Sequence, residues 1–306
     1  MPSAMTRSDF QRYAFGLLDE TIGISYNEKE TQYTTVFNVK SSDRAFEEDH
    51  QIVGFGLPIE TPENAPVPAD QMSDGPAIRY DHRDWTLRSA FSHQFMRDMK
   101  KDLWNERASQ FGYSFRQGVE LSAADIFNGG FSVLGYDKQP LFSAFHPLGM
   151  RTGGSAGQTQ SNVLASPATL TVGSLRDMLT QSRLFVDPTG VRRIQVNEAI
   201  LLVPPQLEFQ AKEIVKSAGR PDTANRADNV TRDAVRVVVW DYLNVNPKAW
   251  YLIPEKRMHK LKFWWREKFH TWPFYDDITR SNWIGAAQAY SAGYSDYIPL
   301  LGTNPT

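Results

Sequence analysis

The fold is decided by an aromatic stretch that reads Trp250-Tyr251-Leu252-Ile253, then Leu261-Lys262-Phe263-Trp264-Trp265-Arg266-Glu267, and later Asn282-Trp283-Ile284-Gly285-Ala286-Ala287-Gln288-Ala289-Tyr290. Five of the eight tryptophans lie between Trp250 and Trp283. Aromatic and β-branched runs that are broken by Pro, Gly and charged pairs are typical of strands. We therefore expect an antiparallel sheet from residue 250 onward, covered by one long element.

The long element is predicted to be a helix from about Leu87 to Phe127. One apolar face recurs largely every fourth residue, as expected for a helix, and comprises Phe91, Phe95, Met99, Leu103, Phe111, Phe115 and Val119. Gly112 and Gly118 weaken the pattern toward its end, because glycine disfavours a helix. Asn128-Gly129-Gly130 predicts where the helix ends.

The N-terminal forty residues lack the apolar material for a core of their own. Phe10, Tyr13, Ala14, Leu17 and Leu18 have spacing that suits one or two helical turns, and residues 33–39 have the composition of a strand. We interpret this segment as an arm that packs on the rest of the chain.

Residues 45–92 have the pattern of a long hairpin. An apolar run from Ile52 to Ile59 leads into a stretch punctuated by prolines, and a second run returns through Ile78, Tyr80, Trp85 and Leu87. Loops of this length usually have a function of their own. The hairpin is predicted to project toward a partner.

Residues 190–254 have the pattern of a small α/β unit. Residues 199–203 form a continuous apolar run, typical of a strand buried on both faces. Pro204-Pro205 then opens a helix that places Leu207, Ala211, Ile214 and Val215 inward, and residues 235–240 return as a strand. A short helix from Thr171 to Leu184 precedes the unit.

The composition is that of a globular protein with ample core. The chain has 306 residues, 41% hydrophobic and 22% charged, and it contains no Cys, which excludes disulfides and thiolate chemistry. No apolar run approaches the length of a membrane span. A net charge of −2 argues against nucleic-acid binding through a broad basic face.

The charges are nevertheless unevenly distributed. Residues 43–84 contain ten acidic residues against three arginines, a net charge of −7, whereas residues 256–268 contain six basic residues against Glu267, a net charge of +5. Two solvated faces explain such runs most simply. Complementary surfaces that meet between subunits are the alternative.

No convincing active site is found. Gly153-Gly154-Ser155-Ala156-Gly157 matches the pattern around a hydrolase nucleophile, but the strand and helix that this turn needs are missing on either side. The six histidines have no metal-ligand spacing, and His146 is interpreted as a turn residue with a hydrogen-bonded ring. Asp276 and Asp277 point to opposite faces of a strand. For the adjacent Trp264 and Trp265, a core or interface role is favoured over base stacking.

The order of elements resembles the major capsid proteins of tailed bacteriophages, with the Hong Kong 97-type fold. The resemblance covers nearly the whole chain and is carried by segments in sequence order: residues 43–47, the hairpin, the long helix ending at 128–131, Pro140-Leu141-Phe142-Ser143-Ala144-Phe145-His146-Pro147, Ser161-Asn162, residues 200–205, 263–267 and 292–297. It implies an α+β capsid fold and a structural protein without catalytic activity, cofactor or metal.

The resemblance also implies a domain division. Residues 1–44 are the N-terminal arm, 45–83 the extended loop, 84–189 with 255–306 the peripheral domain, and 190–254 the axial domain. The peripheral domain carries the long spine helix and the aromatic sheet. The axial domain lies around the symmetry axis of a hexamer or pentamer, and the extended loop lies over a neighbouring subunit.

This arrangement gives the charge asymmetry a role, because an acidic loop would meet a basic segment of the neighbour. The predicted interface residues are Glu60, Glu63, Asp70, Lys256, Arg257, Lys260 and Lys262. No Lys lies between Lys40 and Lys100, so the isopeptide bond that some family members form from this loop is not expected. The chain starts almost directly with its arm, which favours either a separate scaffolding protein or a mature form.

The implied function is that of an icosahedral shell subunit that assembles with itself into hexamers and pentamers and encloses double-stranded DNA. Implied partners are portal, scaffolding and decoration proteins and DNA, which is contacted non-specifically, with no membrane. The implied location is the virion capsid, assembled in the bacterial cytoplasm. An encapsulin-like cellular shell and, less favoured, a hydrolase that uses Ser155 are the alternatives.

Overall fold

Two four-stranded sheets and one long helix organise the part of the chain that the computed structural model describes: residues 7–70, 73–92, 101–148, 158–190, 193–194, 196, 198–219, 228–276, 278–279 and 281–305. The helices are α1 Arg7–Glu28, α2 Tyr33–Val36, α3 Lys101–Asn128, α4 Val172–Leu184 and α5 Glu208–Lys216. The strands are β1 Asn38–Ser41, β2 Phe46–Val53, β3 Ser73–Asp81, β4 Arg83–Ser92, β5 His146–Pro147, β6 Thr159–Gln160, β7 Ala199–Val203, β8 Arg236–Val239, β9 Trp250–Pro254, β10 Leu261–Asp276, β11 Ser281–Tyr294 and β12 Leu301–Thr303.

The sheet with the longer strands, called the larger sheet below, has the strand order β1-β10-β11-β4. Its centre is the antiparallel pair β10 and β11, of 16 and 14 residues, which confirms the predicted aromatic sheet. The expectation that Trp250-Tyr251-Leu252-Ile253 belongs to it is wrong, because β9 pairs with β7 in the other sheet. Every residue of β9 is buried, as suits a strand covered on both faces.

The long helix α3 crosses the larger sheet. Phe111, Phe115 and Val119 are buried, and the helix ends at Asn128 as predicted. The predicted start at Leu87 is wrong, because Leu87 and Phe91 lie in β4, which pairs with β11. Residues four apart lie on the same face of a strand as well as on the same face of a helix. The apolar spacing therefore continues from β4 into α3 and does not mark where the helix begins. Phe95 and Met99 lie outside the described residues.

The arm contains a longer helix than the one or two turns expected, since α1 spans 22 residues. Leu18, Ile22 and Tyr26 are spaced by four and bury one stripe in a cluster with Phe111 and Phe115 of α3, which confirms that the arm packs on the rest of the chain. The strand expected at 33–39 is wrong over its first part, because Tyr33–Val36 is a helical turn and the strand is Asn38–Ser41.

The smaller sheet has the order β12-β9-β7-β8. The buried strand at 199–203 and the inward face of α5 are confirmed, since Ala211, Ile214 and Val215 are buried. Leu207 lies in a 3-10 turn before α5 and is half-buried against the core. Helix α4 begins at a capping box between Thr171 and Ser174. The edge strand β12 comes from the C-terminal end of the chain and pairs with β9.

Residues 45–83 contain the predicted hairpin, but its return strand ends at Asp81. The expectation that the return run continues through Trp85 and Leu87 is wrong, because both lie in β4, which pairs with β11. Strands β2 and β3 pair antiparallel from Phe46 opposite Asp81 to Val53 opposite Ser73. The apolar run through Ile59 continues past the end of β2, so its last part is not strand. We call residues 54–70 the tip and the β2–β3 ladder the root.

At Gly112 of α3 the backbone of α1 is in close contact, which makes this glycine a test of the packing. A Cβ at Gly112 would lie 2.6 Å from the Ile22 carbonyl oxygen and closer still to the Ser25 hydroxyl. We expect Gly112→Ala to lower the free energy of unfolding by about 1–3 kcal/mol, because one helix must shift.

Gly118 provides the control on the same helix, because the nearest atom to its added Cβ lies 4.0 Å away. We expect Gly118→Ala to raise the free energy of unfolding by up to about 1 kcal/mol, the difference in helix propensity. Denaturant unfolding of both variants measures this. Equal effects of the two substitutions would contradict the close crossing.

Candidate assembly surfaces

The root of the extended loop is fixed to the C-terminal part of the same chain through Asp296. The buried Asp296 carboxylate accepts hydrogen bonds from Gln51 Nε2 of β2 at 3.2 Å, from the Tyr136 hydroxyl at 3.3 Å and from the Ile298 backbone N–H at 3.1 Å. Burial raises the pKa of Asp296, although these donors and the Lys260 charge oppose the rise. The carboxylate therefore joins three separate segments at the loop root.

Aromatic packing completes the attachment of the root. The Tyr80 hydroxyl of β3 shares a hydrogen bond with Ser295, and its ring lies over Gly293. A Cβ at Gly293 would come within 2.7 Å of that ring, so glycine is needed for the contact. Tyr80 and Val53 are buried, so each strand of the root has a side chain packed against the rest of the chain.

Two of the predicted basic interface residues contact the root of their own chain. Lys262 Nζ forms an ion pair with Asp49 of β2, and Lys260 Nζ donates to the His50 carbonyl at 3.5 Å. Both lysines are half-buried. Part of the acidic loop is thus neutralised within the subunit.

The other two basic residues, Lys256 and Arg257, lie in the exposed turn before β10. Lys256 Nζ donates to the Thr34 carbonyl, and Arg257 pairs with Glu255 while its side chain stays 74% exposed. Among the four predicted cations, these two have their side chains most open to solvent.

The three predicted acidic residues lie on the tip. Glu60, Glu63 and Asp70 are all exposed, and Asp70 Oδ2 accepts a hydrogen bond from the Gly56 N–H at 2.7 Å, which links the two sides of the tip. A turn at Asn64, with φ of 63°, reverses the chain. All three residues therefore lie on the tip, whose two sides this hydrogen bond joins.

The tip also exposes apolar side chains, which sequence reasoning did not single out as a contact surface. Phe55, Leu57, Ile59 and Val67 are exposed, with Val67 at 86%. Four exposed apolar side chains between residues 55 and 67 make the tip a candidate interaction site.

A groove of about 700 Å³ lies between the root and the C-terminal end of α3. Trp85 and Tyr290 stack along it with ring centroids 5.7 Å apart, and the exposed Val133 and Leu134 lie at its other side. Sequence reasoning missed this groove because Val133 and Leu134 belong to an irregular segment with no periodic pattern.

The polar residues considered for catalysis have structural surroundings. His146 is buried, its Nδ1 lies 2.5 Å from Asp137 Oδ2, and its ring stacks on Tyr297 with centroids 3.7 Å apart. The predicted hydrogen-bonded ring is confirmed, but His146 lies in the short strand β5 and not in a turn. Burial lowers the pKa of His259 to about 4, and its Nδ1 accepts from the Leu261 N–H at 3.2 Å.

Ser155 and Asp277 lie outside the described residues, so the calls made on them stay predictions. Among the described residues, no three His, Asp or Glu side chains are placed to hold a metal ion. None of the helices in the described part is long and apolar enough to cross a membrane.

Comparison with known proteins identifies the class. A sequence profile described as phage capsid protein matches residues 77–297. That match covers more than half of the chain, which therefore belongs to the phage capsid protein family. No curated protein has a significantly similar sequence.

Solved structures show the same fold at low sequence identity. The mature capsid of bacteriophage PhiM1 is similar with a TM-score of 0.58 and 12% identity, over 90% of this chain and 87% of that one. Microbacterium phage Oxtober96 gives a TM-score of 0.56 and 11% identity, over 99% and 100% of the two chains. A virus-like particle from Pyrococcus furiosus gives 0.52 and 8%, over 94% and 98%.

The expectation of a tailed-phage major capsid protein with the α+β Hong Kong 97-type fold is confirmed by the family and the fold together. The domain boundaries and the interface residues remain predictions.

The ion pair at the loop root yields a prediction. We expect Asp49→Asn to speed hydrogen exchange in residues 46–53 and 73–81 about fivefold, because a partly buried ion pair of this kind contributes roughly 1 kcal/mol. Asp43→Asn, which changes an exposed carboxylate near the same hairpin, is expected to leave exchange unchanged.

The same ion pair predicts a pH dependence. Burial raises the pKa of Asp49, but the hydrogen bonds from Lys262 and Ser295 and the charges of Lys262 and Lys260 outweigh it, so the pKa lies below its ordinary 3.8. Because the folded-state pKa is lowered, the stabilisation is complete above the unfolded value and is lost as the pH falls through the folded value. The difference in exchange between Asp49→Asn and the parent chain should therefore shrink below about pH 3.8. A difference that persists unchanged at lower pH would contradict the ion pair.

Proposed function

We propose that this chain is the building block of an icosahedral phage shell, in which it assembles with itself into hexamers and pentamers around double-stranded DNA. Membership of the phage capsid protein family and the shared fold support this function. The single observation that carries the assembly step is the tip, which exposes four apolar and three acidic side chains beyond an anchored root.

In this proposal the tip contacts a neighbouring subunit. It contains no Lys or Arg between residues 54 and 70, so its net charge is −3 from Glu60, Glu63 and Asp70. The exposed Lys256 and Arg257 provide the complementary charge, and Lys260 and Lys262 reinforce it from the base of β10. Apolar contact supplies most of the attraction, and the charges select the partner and its orientation.

In this proposal each predicted domain has its own role in the shell. Residues 84–189 and 255–306 form the peripheral domain with α3 as its spine, 190–254 form the axial domain near the symmetry axis, 1–44 form the arm and 45–83 the extended loop. Portal, scaffolding and decoration proteins are the proposed partners, and the DNA is contacted without sequence specificity. The proposed location is the virion capsid, assembled in the host cytoplasm.

Negative-stain electron microscopy of the purified protein, alone and with a candidate scaffolding protein, tests the assembly. Closed shells or capsomer rings are expected. A stable monomer under both conditions would contradict the proposal. A bound cargo enzyme in place of DNA would favour an encapsulin-like cellular shell.

The proposed charge contact is tested by reversing the charges of the three acidic residues of the tip. Glu60→Lys, Glu63→Lys and Asp70→Lys together are expected to reduce the yield of shells about tenfold or more, because like charges would then meet. The neutral combination Glu60→Gln, Glu63→Gln and Asp70→Asn serves as the control and is expected to have a smaller effect.

Rescue identifies the partner segment. Adding Lys256→Glu and Arg257→Glu to the reversed tip is expected to restore assembly measured by light scattering and microscopy. Normal assembly of the reversed tip, or failure of the rescue in a chain that still folds, would contradict contact between these two segments.

The shell is expected to be held without isopeptide bonds from the extended loop, which contains no Lys. On a denaturing gel, assembled shells should run as a single band at the monomer mass of 34.8 kDa. A ladder of covalent oligomers would contradict this expectation.

A further inference from the structure

Glu120, near the middle of α3, is a buried carboxylate that receives hydrogen bonds from two distant parts of the chain. Its side chain accepts from the backbone N–H groups of Gln32 and Tyr33 at 2.8 and 3.0 Å, and from Trp240 Nε1 at 3.0 Å. Glu120 is only 2% exposed. The arm and the end of β8 thus share one acceptor on the long helix.

Arg116, one turn earlier on α3, contacts the arm with the opposite charge. It is buried, its guanidinium lies 5.1 Å from the centre of the Tyr26 ring, and its Nη2 donates to the Lys29 carbonyl at 3.4 Å. That carbonyl follows the C-terminal end of α1, where a cation is favourable. The two charges of α3 therefore hold the segment that joins α1 to α2.

Further contacts connect the same three parts. Gln32 donates to Asp241 Oδ2 at 2.9 Å and accepts from the Asp241 N–H at 3.2 Å. Asn128, at the end of α3, donates to the Tyr242 carbonyl at 3.0 Å. The fully buried ring of Trp240 packs edge-on against Phe37 and Phe127, with centroids 6.3 and 5.8 Å apart.

The physical chemistry of a buried carboxylate makes these contacts depend on one another. Burial raises the pKa of Glu120, although the bonds from Trp240, Gln32 and Tyr33 and the Arg116 charge oppose the rise. A carboxylate in such surroundings is tolerated only while its donors are present, and the loss of one weakens the others. Partial release of the arm would leave a buried charge with too few partners.

We propose that Glu120 couples the docking of the N-terminal arm to the position of residues 240–242, so that the two segments are held or released together. We call this coupling the latch. Release of the arm would then accompany any displacement of residues 240–242, which follow β8 in the smaller sheet. This inference rests on the fold of the single chain and not on the proposed shell, so the failure of one leaves the other intact.

Hydrogen exchange of the full-length protein tests the latch. We expect Glu120→Gln, which replaces one acceptor oxygen by a donor that faces other donors, to speed exchange about tenfold or more both in residues 29–41 and in residues 236–242. Asp125→Asn, an exposed carboxylate on the same helix, should change neither segment. Each variant is compared with the parent chain in the same assembly state.

Two outcomes would overturn the proposal. One is faster exchange in only one of the two segments, the arm or residues 236–242. The other is unchanged exchange in both segments. If Glu120→Gln also speeds exchange in β10 and β11, this variant has unfolded. Glu120→Asp is then measured in its place. This shorter side chain keeps the charge and is expected to give the same paired response with a smaller magnitude.

Discussion

The contact between the long helix α3 and strand β11 is the constraint on which the rest of the structure depends. Side chains of β11 reach the helix backbone itself: Gln288 Nε2 donates to the Phe115 carbonyl and the Tyr290 hydroxyl donates to the Gly118 carbonyl, both at 3.1 Å. Phe115 of α3 also packs against Phe269 of the neighbouring strand β10, with ring centroids 5.1 Å apart. These bonds fix the helix along the sheet, and the arm, residues 240–242 and the groove beside the loop root are then positioned against the fixed helix.

A second consequence is the contrast between the two ends of the extended loop. The root is held by Asp296, Lys262 and the packed ring of Tyr80, whereas the tip leaves four apolar side chains in solvent. Exposed apolar surface is costly in water unless another molecule covers it. The subunit therefore has an anchored root and an uncovered tip, as expected for a protein that assembles with copies of itself.

Sequence reasoning recovered the elements whose pattern is local. Phe111, Phe115 and Val119 predicted the helix, the run at 199–203 predicted the buried strand, and the prolines around residues 62–68 predicted the tip. It failed where one pattern fits two structures. Leu87 and Phe91 share a face in β4 with the spacing that a helix also shows.

The remaining features depend on contacts between residues far apart in the chain. Lys262 contacts Asp49 across 213 residues, and no pattern along the chain predicts that contact within the subunit. The burial of Glu120 gives no signal in the sequence, because its three donors are two backbone groups and one indole. A pattern read along the chain does not contain such information, and only the tertiary structure supplies it.

The parallel pairing of β1 with β10 has a consequence for biosynthesis. Asn38 lies opposite Lys262, so the N-terminal strand cannot find its place until more than two hundred further residues have been made. At a translation rate of about 5–20 residues per second, that delay is on the order of 10–40 seconds. During this interval the nascent arm has no native strand partner. Because the same strand β10 supplies Lys262 to the loop root, the loop also lacks its final attachment, and a subunit becomes competent for assembly only late in its own synthesis.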